Sequence, residues 1–174
     1  MKKIILVFGL ISGAISSILM MATIPFADRI GHSLFVGYAT MVASFLLVYF
    51  GIRSYRDNVG AGSITFGKAF AIGICITLIS CFFYIVTWEI IYFNFMHDFL
   101  DKYNAHIIEK LQASGATAAA IQTKIQEMNA FKKSYENPFF NAAVTFVEPF
   151  PVGLLITLIS STILRKKPIA ATAA

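Results

Sequence analysis

A chain of 174 residues has room for one domain of ordinary size, and here 57% of it is hydrophobic and only 13% charged. Mean hydropathy is +0.73, against an ordinary soluble composition in which about one quarter of residues are charged. These values exclude an ordinary water-soluble domain and point to lipid as the solvent. The net charge of +5 does not indicate nucleic acid, because the basic residues lie at the ends of apolar runs and not on a face interleaved with aromatics.

In chain order, the first uncharged run is Ile4 to Ile24, behind Lys2 and Lys3, and predicts a membrane-spanning helix over residues 4–24. A cleaved secretory signal would have a shorter apolar region followed by a small-residue cleavage site. No such site follows, so the segment is expected to stay. The second run, Leu34 to Ile52, predicts a span over 33–52 and meets Arg53, Arg56 and Asp57 at its end. The third, Ala69 to Trp88, lies in a helical stretch read as 66–96. The fourth, Phe139 to Leu164, is read as a span over 139–164, and only Glu148 and its neighbouring prolines interrupt it. A basic tail, 165–174, follows. A helix needs about 20 apolar residues to cross the hydrocarbon. The expected fold is therefore all-α, one integral membrane domain over 1–174 with a bundle of four transmembrane helices.

The charges sort to two sides. Lys2, Lys3, Arg53, Arg56, Lys68, Arg165, Lys166 and Lys167 share one side with the single acid Asp57, whereas Asp28 and Arg29 lie in a short loop on the other. Basic residues concentrate on the cytoplasmic side, so both termini are expected there.

Each run carries a stripe of small or hydroxylated residues at helical spacing: Gly9, Gly13, Ser16 and Thr23; Gly37, Thr40, Ser44 and Gly51; Gly73, Thr77 and Ser80; Gly153, Thr157 and Ser160. Small residues let helix backbones approach where no hydrophobic force drives association. Packing inside one bundle is the expected use, ahead of a homodimer seam at Gly9 and Gly13. The strings GICITLIS and GLLITLIS recur with an offset of 80 residues. One octamer in an apolar alphabet does not make a transporter repeat. Cys75 and Cys81 point to different sides of one helix and read as packing residues.

Residues 97–138 are too many for a bare connection. Leu100, Tyr103, Ile107 and Leu111, then Ile121, Ile125, Met128, Phe131 and Tyr135, follow helical spacing. Ser114-Gly115 can close the first helix and Thr117 can cap the second. The expected result is an antiparallel helical hairpin outside the membrane, between the third and fourth spans. Nothing between Trp88 and Ala113 breaks a helix by residue type, so the first arm is expected to continue the third span and stand roughly 20 Å off the bilayer. The two stripes are expected to cover each other. His97 and His106 are too far apart in sequence, and His32 lies on another loop, so no histidine metal site is expected.

Ionisable residues within a span are candidates for function, and Glu89 and Glu148 are the two here. Glu89 lies about 30 Å along a helix from Ala69 and Glu148 about 24 Å from Leu164, so both approach the outer interface. Pro149 and Pro151 cannot donate backbone hydrogen bonds and free carbonyls one turn earlier. Two carboxylates and freed carbonyls could hold a cation or proton. Against this, Thr145 and Glu148 have the spacing of a capping box, and Pro149 falls where a first turn tolerates proline. Cap is the favoured reading for Glu148, with Trp88 and Tyr92 as interfacial anchors near Glu89. At the other side, Gly60-Ala-Gly62 and Lys68 lack the spacing of a phosphate loop. Ser63 or Thr65 can cap the third span, and Arg53, Arg56 and Lys68 are candidate contacts to anionic lipid headgroups.

Five segments together resemble the bacterial DUF4199 family, a domain of unknown function. They are Tyr55-Arg-Asp57, Gly62-Ser-Ile-Thr-Phe-Gly-Lys-Ala-Phe70 with Gly73, Tyr135 with Asn137-Pro138, Thr145-Phe-Val-Glu-Pro-Phe-Pro-Val-Gly-Leu154, and Arg165-Lys-Lys167. The resemblance implies a small inner-membrane protein of four helices from a Gram-negative bacterium, with a periplasmic long loop. It brings no activity, cofactor or site residue. The expected function is non-enzymatic, serving a partner protein or a homo-oligomer in the bilayer through the hairpin. The alternative is a small proton- or cation-coupled transporter or channel using Glu89 and Glu148. A membrane enzyme ranks third, since no nucleophile and base pair is visible, and neither a cofactor nor a metal is expected.

Overall fold

The computed structural model describes residues 1–23 and 34–166. Ile24, Asp28, Arg29, His32, Lys167 and the rest of the tail lie outside the described residues, as does the side chain of Thr23. The described chain is all-α, with helices α1 (Lys2–Thr23), α2 (Leu34–Asn58), α3 (Phe66–Phe95), α4 (Phe99–Ala113), α5 (Ala118–Tyr135), α6 (Pro138–Val147) and α7 (Pro149–Leu164). Two compact units result, Met1–Thr87 with Phe146–Ala174, and Trp88–Thr145. Among the described residues three stretches are helical, long and apolar enough to cross a membrane: Lys2–Ala22, Phe66–Phe95 and Pro138–Leu164.

In the first unit, α1 packs on α2, and α2 packs on α7. The contacts of α3 run through glycine. A Cβ on Gly9 would meet Ile79 at 2.9 Å, and one on Gly13 would meet Phe83 at 2.7 Å. The Gly9 and Gly13 pair therefore packs against the same chain. Thr157 approaches Gly73, and Thr77 approaches Gly153. The two octamers thus face each other reciprocally, glycine against threonine, with the Thr77 and Thr157 hydroxyls 3.1 Å apart between them. Ser12, Ser44, Thr77, Ser80, Thr157, Ser160 and Ser161 are all buried in this unit, together with Phe45, Val48, Ile52, Ile72 and Ile76. The apolar side chains Leu10, Ile18, Leu46, Phe50, Phe82, Leu155 and Ile163 are exposed.

The turn after α2 uses two positive φ values, 47° at Ala61 and 78° at Gly62. Only the glycine adopts this region freely. Thr65 then caps α3, its hydroxyl accepting from the Lys68 amide at 3.4 Å. Ile64 and Lys166 exchange both backbone hydrogen bonds, at 3.0 and 2.9 Å, and join the start of α3 to the end of α7.

In the second unit the expectation of one long helix through residue 113 fails. Helix α3 ends at Phe95, and α4 begins at Phe99. In a continuous helix, residues 88 and 99 would lie about 16 Å apart, yet the rings of Trp88 and Phe99 are 5.1 Å apart. The chain turns at Met96–Asp98 so that Phe99 and Leu100 close on Trp88, Tyr92 and Tyr135. Trp88 Nε1 donates to the Tyr135 hydroxyl at 2.8 Å, and Tyr92 is only 4% exposed. These residues, expected as anchors, form the core of this unit. Helices α4 and α5 pack together, with Lys132 bonded to Asp101. Gly115 at φ 78° ends α4, and the Thr117 hydroxyl accepts from the Ala120 amide at 3.2 Å, as their residue types predict.

The capping box at Thr145 and Glu148 is absent. Thr145 lies inside α6 and its hydroxyl donates to Asn141 Oδ1 at 3.2 Å. Helix α6 instead starts at Pro138, where Asn137 Oδ1 accepts from the Phe139 amide at 2.9 Å. Glu148 stands between α6 and α7 with helical angles (φ −77°, ψ −58°) and makes no side-chain cap. Proline at 149 and 151 withdraws two donors and breaks the ladder there.

Candidate functional site

The break puts a carboxylate at the flank of the first unit. Tyr84, on α3, donates its hydroxyl to Glu148 Oε2 at 3.0 Å. Pro149 beneath it is buried, Pro151 is exposed, and Phe146 and Phe150 stack at 4.7 Å. Tyr84 also lines a cavity of about 70 Å³ with Ser16, Met20, Gly37, Thr40 and Met41. Thr40 donates to the Gly37 carbonyl at 2.7 Å, Ser44 to the Thr40 carbonyl at 3.0 Å, and Ser12 to the Ser44 carbonyl at 2.9 Å. Hydroxyls thus run from the cavity into the interior of the bundle. A lone tyrosine in an apolar run gives no spacing signal, so the pairing of Tyr84 with Glu148 is not legible in the sequence.

Glu89 belongs to the second unit, where its Oε1 is buried with no hydrogen-bond partner among the described residues. Glu148 accepts from Tyr84 within the first unit.

At the opposite end of α3, Arg56 Nε lies 2.7 Å and Arg53 Nε 3.5 Å from the Asp57 carboxylate. The hydrogen bond from Arg56, helped by Arg53, holds Asp57 below the usual carboxylate range. Lys68 Nζ lies 5.6 Å from the centre of the Tyr55 ring, a cation–π contact. The Ile64 bridge brings Lys166 to the same end. Arg53 and Arg56 therefore share an acid, and Lys68 makes no ion pair among the described residues. Among the described residues no three of His, Cys, Asp and Glu gather as metal ligands, and Cys75 and Cys81 are unbonded thiols.

The family described as "Protein of unknown function (DUF4199)" matches residues 7–166, nearly the whole chain. The chain belongs to the DUF4199 family. The segments that carry the likeness include both places just described. Tyr55-Arg-Asp57 touches the 62–70 segment through Lys68, Arg165-Lys166 touches it through Ile64, and Glu148 lies in the 145–154 segment. Neither the curated proteins nor the solved structures contain a match to this DUF4199 chain.

Proposed function

We propose that this DUF4199 protein crosses the inner membrane four times, with both termini cytoplasmic, and serves a partner protein through a periplasmic hairpin formed by α4 and α5. The observation that supports the contact role is the division of apolar and aromatic residues on that pair. Leu100, Met128 and Tyr135 are buried, whereas Tyr103 and Phe131 stay 40% and 41% exposed. The pair covers its own seam and still offers aromatic surface among its charges. In support of the fourth crossing, α2 carries no charge from Leu34 to Ile52 and packs between α1 and α7. The cytoplasmic placement of the termini rests on the basic residues Lys2, Lys3, Arg53, Arg56, Lys68, Arg165 and Lys166.

A photo-crosslinking residue at Tyr103 or Phe131 in native membranes is expected to capture one discrete protein, and the same residue at exposed Ala119 is not. Equal, diffuse labelling at all three would remove the contact role. Compartment reporters at the two ends are expected to report the same face. Opposite faces would remove the topology.

A second reading, a small proton- or cation-coupled transporter or channel, draws on Glu148 and its Tyr84 partner more than on Glu89. Glu148→Gln in proteoliposomes is expected to abolish flux if this reading holds, with the fold intact.

A further inference from the structure

Among the described residues, Ser16, Met20, Gly37, Thr40, Met41 and Tyr84 border a cavity. A single water needs about 10–15 Å³ of such space, so a cavity of about 70 Å³ has room for several. Its lining includes three hydroxyl-bearing residues, Ser16, Thr40 and Tyr84, of the kind that water bonds to. The exterior around it is apolar, with Ile18, Val42 and Leu46 facing outward on the neighbouring helices. Ser16, Thr40 and this space lie one phenol away from the Glu148 carboxylate.

The ligand that fits is a proton. Hard metal cations take six to eight oxygen ligands, whereas two of the six residues lining this cavity are methionines. The carboxylate is also already engaged by a donor, at 3.0 Å from the Tyr84 hydroxyl. A phenol between water and a carboxylate can pass a proton without being ionised. Among the described residues, Tyr84 is the titratable group that faces Glu148.

The geometry points to a proton-binding site at Glu148 that is loaded from water in the Ser16, Thr40 and Tyr84 cavity through the Tyr84 hydroxyl. A hydronium in the cavity gives one proton to the phenol oxygen, and the original phenol proton moves to Glu148 Oε2. The products are a water, a neutral phenol and a neutral carboxylic acid. Rotation of the new hydroxyl resets the relay, and the reverse sequence unloads it. Glu148 is exposed on the flank of its unit, so direct exchange with interfacial water is the rival route. The proposal does not depend on what α4 and α5 bind.

The test is infrared spectroscopy of the full chain in nanodiscs of phosphatidylethanolamine and phosphatidylglycerol, titrated in pH and exchanged into D₂O. A titrating carboxylic C=O band is expected that Glu148→Gln removes and Glu89→Gln leaves in place. Tyr84→Phe is expected to keep that band and slow its deuterium shift by about tenfold or more, as loss of a positioned proton donor does. Thr40→Val, which leaves the Tyr84 and Glu148 bond untouched, is expected to slow the shift as well by drying the cavity, and decides the matter if Tyr84→Phe fails to fold. Absence of a band assigned to Glu148 overturns the site. Exchange at the unaltered rate in Tyr84→Phe, or in Thr40→Val should it decide alone, overturns the relay and leaves interfacial water as the route.

Discussion

Thr77 donates to the Gly153 carbonyl at 3.4 Å and shares a hydrogen bond of 3.1 Å with Thr157, all inside the first unit. Interhelical bonds of this kind average about 0.6 kcal/mol in membrane proteins, and the strongest reach about 1.7 kcal/mol. Thr157→Val keeps the volume and removes the hydroxyl. It is expected to destabilise the fold by about 0.6–1.7 kcal/mol, and Thr77→Val by more, because two contacts go; unfolding in mixed micelles measures both. Asp57 makes a different kind of prediction. Its folded pKa is depressed by the hydrogen bond from Arg56 and by Arg53. A depressed acid stabilises fully above its unfolded pKa and loses that stabilisation as pH falls through the folded value. The wild-type chain is therefore expected to exceed Asp57→Asn in thermal stability near neutral pH, and the two melting curves are expected to converge in acid. High salt should narrow the gap, since the pair is solvent-exposed.

Among the helices, α3 and α7 approach closely through Gly73 and Gly153. A Cβ at Gly73 would lie 2.7 Å from Thr157 Cγ2 and 3.0 Å from Ile52 Cδ1, and one at Gly153 would lie 2.9 Å from the Phe45 ring. Overpacking typically costs about 1–3 kcal/mol, more than the roughly 1 kcal/mol by which alanine outranks glycine in a helix. Gly153→Ala is expected to lower the midpoint of unfolding. Pairing it with Thr77→Ser, which removes the obstructing methyl, should recover part of the loss. At the start of α6, Asn137→Ala removes the cap and is expected to cost about 1 kcal/mol. These elements were unequally legible. The apolar runs announce helices by length alone, and Gly115 with Thr117 marks the turn between α4 and α5. The break at Met96–Asp98 has no proline or glycine to signal it; it is set by Trp88 reaching Phe99 and Tyr135, a contact between residues distant in sequence. Thr145 and Glu148 misled for a related reason. Their spacing suits a helix interior as well as a cap, while Asn137-Pro138, the real start, carries the ordinary signature of a cap followed by proline. The carboxylate of Glu148 was readable in the sequence, but its phenol partner and the cavity behind it needed helices brought together in space.

Among the described residues of the first unit the outside is as apolar as the core. Serine and threonine hydroxyls are buried beside Phe45, Val48, Ile52, Ile72 and Ile76, while many leucine, isoleucine and phenylalanine side chains are exposed. Such a surface requires an apolar solvent, so the purified chain is expected to precipitate when detergent is removed without lipid. A chain that stays monodisperse in plain buffer would contradict the membrane assignment. The same apolar exterior reaches into calorimetry. Soluble domains unfold with a heat-capacity increase of about 12–15 cal/mol/K per residue because apolar area becomes hydrated. Here the greasy side chains already face the micelle before melting and remain there afterwards, so little hydrocarbon passes into water. The heat-capacity step on denaturation in detergent should therefore be small, and the stability curve of this protein nearly straight with temperature.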